Sequence, residues 1–459
     1  MPKKKTTEIT PTVKKTETES KTRYPQLLRG MKDILPESQE YWDFVKKELD
    51  RLARDYGYGR IETPILEETA LFARSVGENT DIIEKEMFSF IDKGGVNVSL
   101  RPENTAGIAR VYIEHGMLNQ PQPVRLYYCG PFFRYDRPQA GRQREFNQFG
   151  FEVIGDELPI IDAQMIVMCA SFYKAMGLPV VIQINSVGCK ICRKEYEQLL
   201  VDYLNPRKKF LCEDCKRRLT KNTLRVLDCK KEECRELMLA APQFLDHLDE
   251  ECKEHFVKVL EYLDGAEIAY NLNPFLVRGL DYYTKTTFEI WPEGKEASSQ
   301  TALGGGGRYD DLIELLGGRP TPACGYAGGI ERLIMCMKEK EIVLPSPKKP
   351  DVFIAQLGES ATKKALKLTE DLRQNGIKVA SNFSKAGLRD QLAQASNLAV
   401  RFSLILGQKE ILDRTILIRD MESSSQEVID INKVHQELKK RLEKANSLIQ
   451  NSGSNEGKA

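Results

Sequence analysis

The chain has 459 residues, 41% hydrophobic and 29% charged, which is ordinary globular composition and enough for two or three domains. Its 68 basic and 67 acidic side chains leave a net charge of +1, which excludes a bulk basic field as the means of holding nucleic acid; such a partner needs a local patch. There is no run of about 18 apolar residues to make a membrane helix, and 11 cysteines, several in CxxC pairs, suit a reducing cytoplasm.

Residues 1–23 are rich in Lys, Thr and Glu and read as a disordered tail without the apolar stretch of a secretory signal. Residues 36–58 predict an amphipathic helix, with Trp42, Val45, Leu49, Leu52 and Tyr56 at helical spacing. Between about 60 and 155 the pattern shifts to short β runs such as VRLYYCG (124–130) and FNQFGFEVIG (146–155). Inside that region RPENTAG (101–107) leads into a helix that Asn104 or Thr105 can cap. Glu103 is favoured there by the helix dipole and is also suited to hold a substrate ammonium. Residues 162–176 read as a helix and VVIQINS (180–186) as a strand. From 188 to about 272 the composition turns cysteine-rich, charged and mostly helical, as an insertion would be. Residues 288–318 return to strand and glycine-rich loop, and LPSPKKP (344–350), with three prolines in seven residues, is a linker. Residues 351–442 alternate strand and helix, which predicts a small α/β domain with a largely parallel sheet, and 443–459 read as a flexible tail.

Four segments carry charge or glycine where apolar residues are expected. RPENTAG is the first. In FFRYDRPQAGRQREFNQFGFE (132–152), Arg134, Arg137, Arg142 and Arg144 crowd a β hairpin, and guanidinium forks so close together call for a polyphosphate between them. On the returning strand Gln148, Gly150 and Glu152 share one face by the period of two. LVRGLDYY (276–283) sets Arg278 in an interior-like stretch beside Tyr282 and Tyr283. A buried guanidinium keeps its proton and must meet an anion, either a core carboxylate such as Asp281 or a ligand phosphate. The fourth segment joins ALGGGGRYDDL (302–312) to CGYAGGIERLI (324–334), where glycines allow close backbone approach and Arg332 stands near a helix start. No P-loop pattern follows the glycines. The four histidines lie outside all these segments, which disfavours Ser–His or Cys–His chemistry. Cys189-x2-Cys192 with Cys212-x2-Cys215 has the spacing of a structural zinc set, leaving Cys229 and Cys234 spare; free thiols in a helical subdomain are the other reading.

Together these motifs resemble the class II aminoacyl-tRNA synthetases, and within them the histidyl-tRNA synthetase family, from about residue 24 to 442. RGMKDILP resembles the family's opening, FRYDRPQAGRQREFNQFGFEVIG its motif 2 and GGIERL its motif 3, while LVRGLDYY and GGGGRYD resemble its two histidine signatures. The resemblance implies an α+β catalytic domain with a mostly antiparallel sheet over 24–343, interrupted by a helical insertion at 188–272, and a C-terminal α/β anticodon-binding domain over 351–442. It implies activation of L-histidine by ATP with Mg2+ and transfer to tRNA-His, by a cytoplasmic homodimer. Arg134 and Arg278 would hold the α-phosphate as catalytic cations, Arg142 and Arg332 the diphosphate end, and Asp136 the adenine, where the family more often has Glu. Glu103, Thr105 and Gln148 would receive the ammonium, and Glu152, Tyr282 and Tyr283 would line the histidine site, with Glu152 and Tyr283 on the imidazole. Arg137 and Gln139 would approach the tRNA acceptor end. Asn147 and the Arg389–Asp390 pair depart from the family's usual residues. A second reading is a non-catalytic, synthetase-like regulatory subunit of histidine biosynthesis, although such relatives lose motif arginines that stand here.

Overall fold

Alternating apolar residues in the β runs build one large sheet and one small one in the first part of the chain. In the computed structural model the described residues are 25–77, 80–138, 141–294, 302–345, 349–384 and 387–453. The N-terminal tail, Gln139 and part of the linker lie outside them. The strands, in chain order, are β1 (Gly59–Arg60), β2 (Leu66–Glu68), β3 (Ser89–Ile91), β4 (Asn97–Leu100), β5 (Val124–Phe133), β6 (Glu145–Ile154), β7 (Val180–Ser186), β8 (Tyr270–Leu272), β9 (Thr284–Pro292), β10 (Gly304–Arg308) and β11 (Ala323–Gly329). Eight of them form a sheet in the order β1-β5-β6-β11-β10-β9-β7-β8, and β2-β4-β3 form a separate antiparallel sheet. Every internal pairing of the large sheet is antiparallel, and only the edge pairs β1·β5 and β7·β8 are parallel.

The pleat sends alternate residues of β6 to opposite faces. Phe149, Phe151 and Val153 join the core under the helices Gln39–Asp55 and Pro159–Ala175, against Trp42, Leu49, Ile166 and Phe172. Each such buried aromatic contributes about 2 kcal/mol of burial free energy. The other face, with Gln148, Gly150 and Glu152, is the one that carries the site.

The GGGG run is a central strand rather than the loop its composition suggests. A β-carbon at Gly306 would press on the Phe288 ring at 2.9 Å and overlap the Gly325 carbonyl, so neighbouring side chains and backbone already fill the space that residue 306 would need. The segment between β7 and β8 contributes the helices Lys190–Leu204, Glu213–Lys221, Glu232–Leu239 and Glu250–Gly265. Its last residues form β8 and return to the sheet edge beside β7, so the expected insertion ends inside the sheet. A buried network fastens it: Asp162 accepts from Arg308 Nε at 3.2 Å and lies 2.9 Å from His255 Nε2.

The chain divides into two compact units, at Leu344 and Pro345. In the second, β12 (Val352–Gln356), β13 (Val379–Ser381), β14 (Phe402–Leu406), β15 (Thr415–Asp420) and β16 (Gln426–Asp430) pair in the order β13-β12-β14-β15-β16. The first three run parallel, while β15 pairs antiparallel with β14 and β16 antiparallel with β15, so this sheet is mixed rather than largely parallel. The connections into β15 and β16 are too short for a crossover, which forces the reversal. Ile354, Leu404 and Leu406 pack there against Ala365, Leu368 and Leu438. The final helix spans Val434–Gly453, well past residue 443.

Candidate active site

A cavity of about 490 Å³ opens on the site face of the large sheet, within the range that takes a small ligand. Its wall at the start of the helix Thr105–Glu114 is acidic. Glu103 is buried and accepts from the amides of Thr105 at 2.7 Å and Ala106 at 2.9 Å. The helix is thus capped by Glu103, while Asn104 turns its Oδ1 to the Thr63 hydroxyl at 2.6 Å and Thr105 faces the cavity. Burial raises the Glu103 carboxyl above its ordinary range, and the two amides oppose that rise. The Tyr282 hydroxyl lies 3.5 Å from Glu103.

Glu152 is 1% exposed and stands behind the lining residues Thr105 and Tyr309. It accepts from the Thr105 hydroxyl at 3.0 Å and from the Tyr309 hydroxyl. Burial pushes its carboxyl up to about 8, with Tyr309 and Thr105 pulling the other way. Gly325 and Gly150 are required here: side chains there would run into the Glu152 carboxylate and the Tyr128 ring, whose Cε1 is 2.7 Å from a β-carbon at 150.

Among the described residues six arginines line the same cavity, four of them from the segments singled out in the sequence: Arg134, Arg142, Arg278 and Arg332. Arg278 is held by Glu289 of β9, lies over the Tyr283 ring at 5.6 Å, and rests on Gly305. Its carboxylate partner is therefore Glu289 and not Asp281, which instead accepts from Asn222 Nδ2 at 2.8 Å. Burial works against the Arg278 charge, but Tyr283 and Glu289 outweigh it and its pKa is raised. Glu289 is itself fixed by Trp291 Nε1 at 3.0 Å. Arg134 donates to the Pro102 carbonyl at 2.9 Å. Arg332, in the first turn of the helix Ile330–Glu339, donates to the carbonyls of Gly141 at 3.2 Å and Ala302 at 2.7 Å. Arg142 pairs with Asp136 at 3.0 Å.

The hairpin arginines do not all converge. Arg134 and Arg142 line the cavity, whereas Arg144 stacks on the Tyr135 ring at 3.7 Å and Arg137 is exposed. Gln148 lines the cavity. Gln139 lies outside the described residues. Lining residues not singled out from the sequence include Tyr128, Tyr309, Glu289, Arg218 and Arg225. Tyr309 stood inside the GGGGRYD motif, and Glu289 was signalled by a charge within a β run. Arg218 and Arg225 come from the insertion, which docks on the cavity rim through Arg218–Asp81 at 3.2 Å and Lys221–Glu84 at 2.9 Å.

The cysteines fall into a different arrangement from the one their spacing suggested. Cys212 and Cys215 gather with Cys229 and Cys234, whereas Cys189 and Cys192 gather with Asp249 and Cys252. The two CxxC pairs do not share a site, and Cys229 and Cys234 are not spare.

A model of the family described as "Histidyl-tRNA synthetase" matches residues 30–333. The chain belongs to the histidyl-tRNA synthetase family. A second family model, described as "Anticodon binding domain", matches residues 351–441. A histidine–tRNA ligase of Dehalococcoides mccartyi is 46% identical over 415 residues, spanning 90% of this chain and 99% of that protein. One from Pelotomaculum thermopropionicum is 44% identical over 415 residues, spanning 90% of this chain and 97% of that protein. The apo crystal structure of Staphylococcus aureus histidyl-tRNA synthetase superposes with a TM-score of 0.76 at 38% identity, covering 90% of this chain and 100% of that one. The fold is therefore the class II histidyl-tRNA synthetase fold, with its mixed catalytic sheet and a C-terminal domain of its own sheet. Among the described residues no helix is long and apolar enough to cross a membrane.

Proposed function

We infer that the chain is a histidine–tRNA ligase: it activates L-histidine with ATP to histidyl-adenylate, releasing diphosphate, and passes histidine to the 3′ end of tRNA-His, releasing AMP. The observation that carries this reading is the convergence of Arg134, Arg142, Arg278 and Arg332 with Glu103, Thr105 and Tyr283 on one cavity, in a chain of this family.

In the first step a histidine carboxylate oxygen attacks the α-phosphorus of ATP, which enters as its Mg2+ complex. The bond from that phosphorus to the bridging oxygen breaks, and diphosphate leaves with the electron pair. Arg134 and Arg278 hold the α-phosphate oxygens where charge concentrates, and fixed guanidiniums there lower the barrier without reorganisation. Glu289 and Gly305 position Arg278. Arg142 and Arg332 take the diphosphate end, and Asp136 faces the adenine side. Glu103, Thr105 and Gln148 receive the substrate ammonium, with Tyr282 beside Glu103. Tyr283 reads the imidazole from the cavity wall, and Glu152 serves the imidazole side from behind that wall, with Thr105 and Tyr309 as partners. A site that hydrogen-bonds both ring nitrogens rejects side chains lacking them by about 10⁴ or more.

In the second step the terminal ribose hydroxyl of tRNA attacks the adenylate carbonyl and AMP departs. Arg137 and Gln139 approach the acceptor end, and residues 351–442 read the anticodon. The protein works as a cytoplasmic homodimer. Charging of a tRNA-His transcript with labelled histidine tests the reading. Stable histidyl-tRNA is expected; a protein that binds histidine but charges nothing would instead fit the regulatory-subunit reading.

A further inference from the structure

We propose that the insertion holds two separate structural zinc ions, one bound by Cys212, Cys215, Cys229 and Cys234 and the other by Cys189, Cys192, Asp249 and Cys252. The proposal is independent of the catalytic reading. In each group the four ligand atoms lie within 4.8 Å of one another. The sulfurs of Cys212 and Cys229 are 3.8 Å apart and those of Cys189 and Cys192 are 3.6 Å apart. Zinc–sulfur bonds of about 2.3 Å at tetrahedral angles demand a sulfur–sulfur edge of about 3.8 Å. A disulfide would need about 2.05 Å. Asp249 Oδ2 lies 3.2 Å from the sulfur of Cys189 and 3.0 Å from that of Cys192, short enough for a carboxylate corner of the same tetrahedron.

The sequence pattern supports the partition. Asp249 and Cys252 repeat the three-residue stride of Cys189 and Cys192, so the second set reads C-x2-C with D-x2-C, an aspartate standing where a fourth cysteine would stand. Backbone amides already point at sulfur in both groups: Cys212 N donates to Cys234 Sγ at 3.3 Å and Asp249 N to Cys192 Sγ at 3.2 Å. With four protein ligands each, both sites are closed and structural.

Their placement gives each ion a distinct task. Cys189 and Cys192 follow β7 at the entry to the insertion, and Asp249 and Cys252 begin the helix Glu250–Gly265 that leads back to the sheet. That ion staples the two roots of the insertion together. The other ion joins the helix Glu213–Lys221 and the turn Thr223–Val226, which carry Arg218 and Arg225 to the cavity, to the helix Glu232–Leu239. A segment of many charged residues and short helices thereby gains metal cross-links in addition to its buried apolar residues such as Tyr196, Leu200 and Phe244.

The test is metal stoichiometry of the full chain, purified under reducing conditions and reconstituted with zinc. Two ions per chain are expected. Cys192→Ser and Cys215→Ser should each lose one ion and keep the other, and Asp249→Cys should keep two. Cobalt titration of the unsubstituted chain, which needs no variant to fold, should saturate at two equivalents, with thiolate-to-metal absorption from seven thiolates. Saturation at one equivalent or none would overturn the proposal. So would a single ion that both Cys192→Ser and Cys215→Ser remove.

Discussion

The guanidinium of Arg278 lies against the α-carbon of Gly305, in the space a β-carbon there would occupy. Glu289, the register partner of Gly305 on the neighbouring strand β9, holds that guanidinium and is itself held by Trp291. The glycine strand and the histidine signature are thus one device: the backbone of β10 recedes so that a cation can stand in the cavity.

Removing the cation should remove adenylate formation. Arg278→Ala is expected to lower kcat for histidine-dependent diphosphate exchange by about 10²–10³, the usual cost of a fixed charge at a developing anion. KM for histidine should change far less. Equal loss of histidine binding and of kcat would make the arginine structural.

Gly305 and Gly306 should fail in different ways. A β-carbon at 305 meets the end of a movable side chain, whereas one at 306 meets the Gly325 carbonyl and the Tyr326 α-carbon. Gly305→Ala should therefore displace Arg278 and cut exchange at least about tenfold while melting within a few degrees of the parent. Gly306→Ala should lower the melting temperature strongly, since overpacking against backbone costs about 1–3 kcal/mol or more. Thermal melts and exchange assays on both variants separate the cases.

Glu152 should make the fold less stable as pH rises. Its folded pKa of about 8 lies above the ordinary carboxyl value of 4.5, so the folded state binds the proton that the unfolded state releases between those limits. Its contribution is full below about pH 4.5 and is lost as pH rises through about 8, by at most about 5 kcal/mol. Glu152→Gln cannot titrate. The stability difference between variant and parent should grow in the variant's favour from pH 5 to pH 8, read by urea denaturation. A difference that stays flat would contradict the buried, proton-binding carboxyl.

Asp162 should behave in the opposite sense. Burial raises its pKa, but Arg308 and His255 outweigh burial and hold it below the usual carboxylate value. Its stabilisation is present above the unfolded pKa and is lost as pH falls through the lowered folded value. Asp162→Ala leaves the Arg308 guanidinium, 0% exposed, without its main carboxylate, and should cost about 3–5 kcal/mol near neutral pH. The loss should appear as a lower denaturation midpoint.

Much of the catalytic half could be read from residue order because its signals are local. The spacing of Trp42, Val45, Leu49 and Leu52 matches the buried face of the helix Gln39–Asp55. The period of two that put Gln148, Gly150 and Glu152 on one face holds in the register of β6 with β5. Signals that depend on tertiary neighbours were not readable. Nothing in GGGG says strand, because glycine has low strand preference; what makes it one is the bulk of Phe288, Tyr326 and Arg278 around it. The strand β16 was hidden because Gln426, Glu427 and Val428 are exposed at a sheet edge. The partner of Arg278 sits eleven residues away on β9, where local proximity pointed to Asp281. Adjacent CxxC pairs suggested one metal set, but the chain folds each pair toward different downstream residues.

The central claim is that this cavity joins histidine to ATP. Histidine-dependent ATP–diphosphate exchange, measured with purified protein and Mg2+ against each of the common amino acids, tests it most directly. Exchange is expected with histidine alone, and Arg278→Ala should cut it by about 10²–10³. No exchange, or comparable exchange with an amino acid that lacks an imidazole, would contradict it.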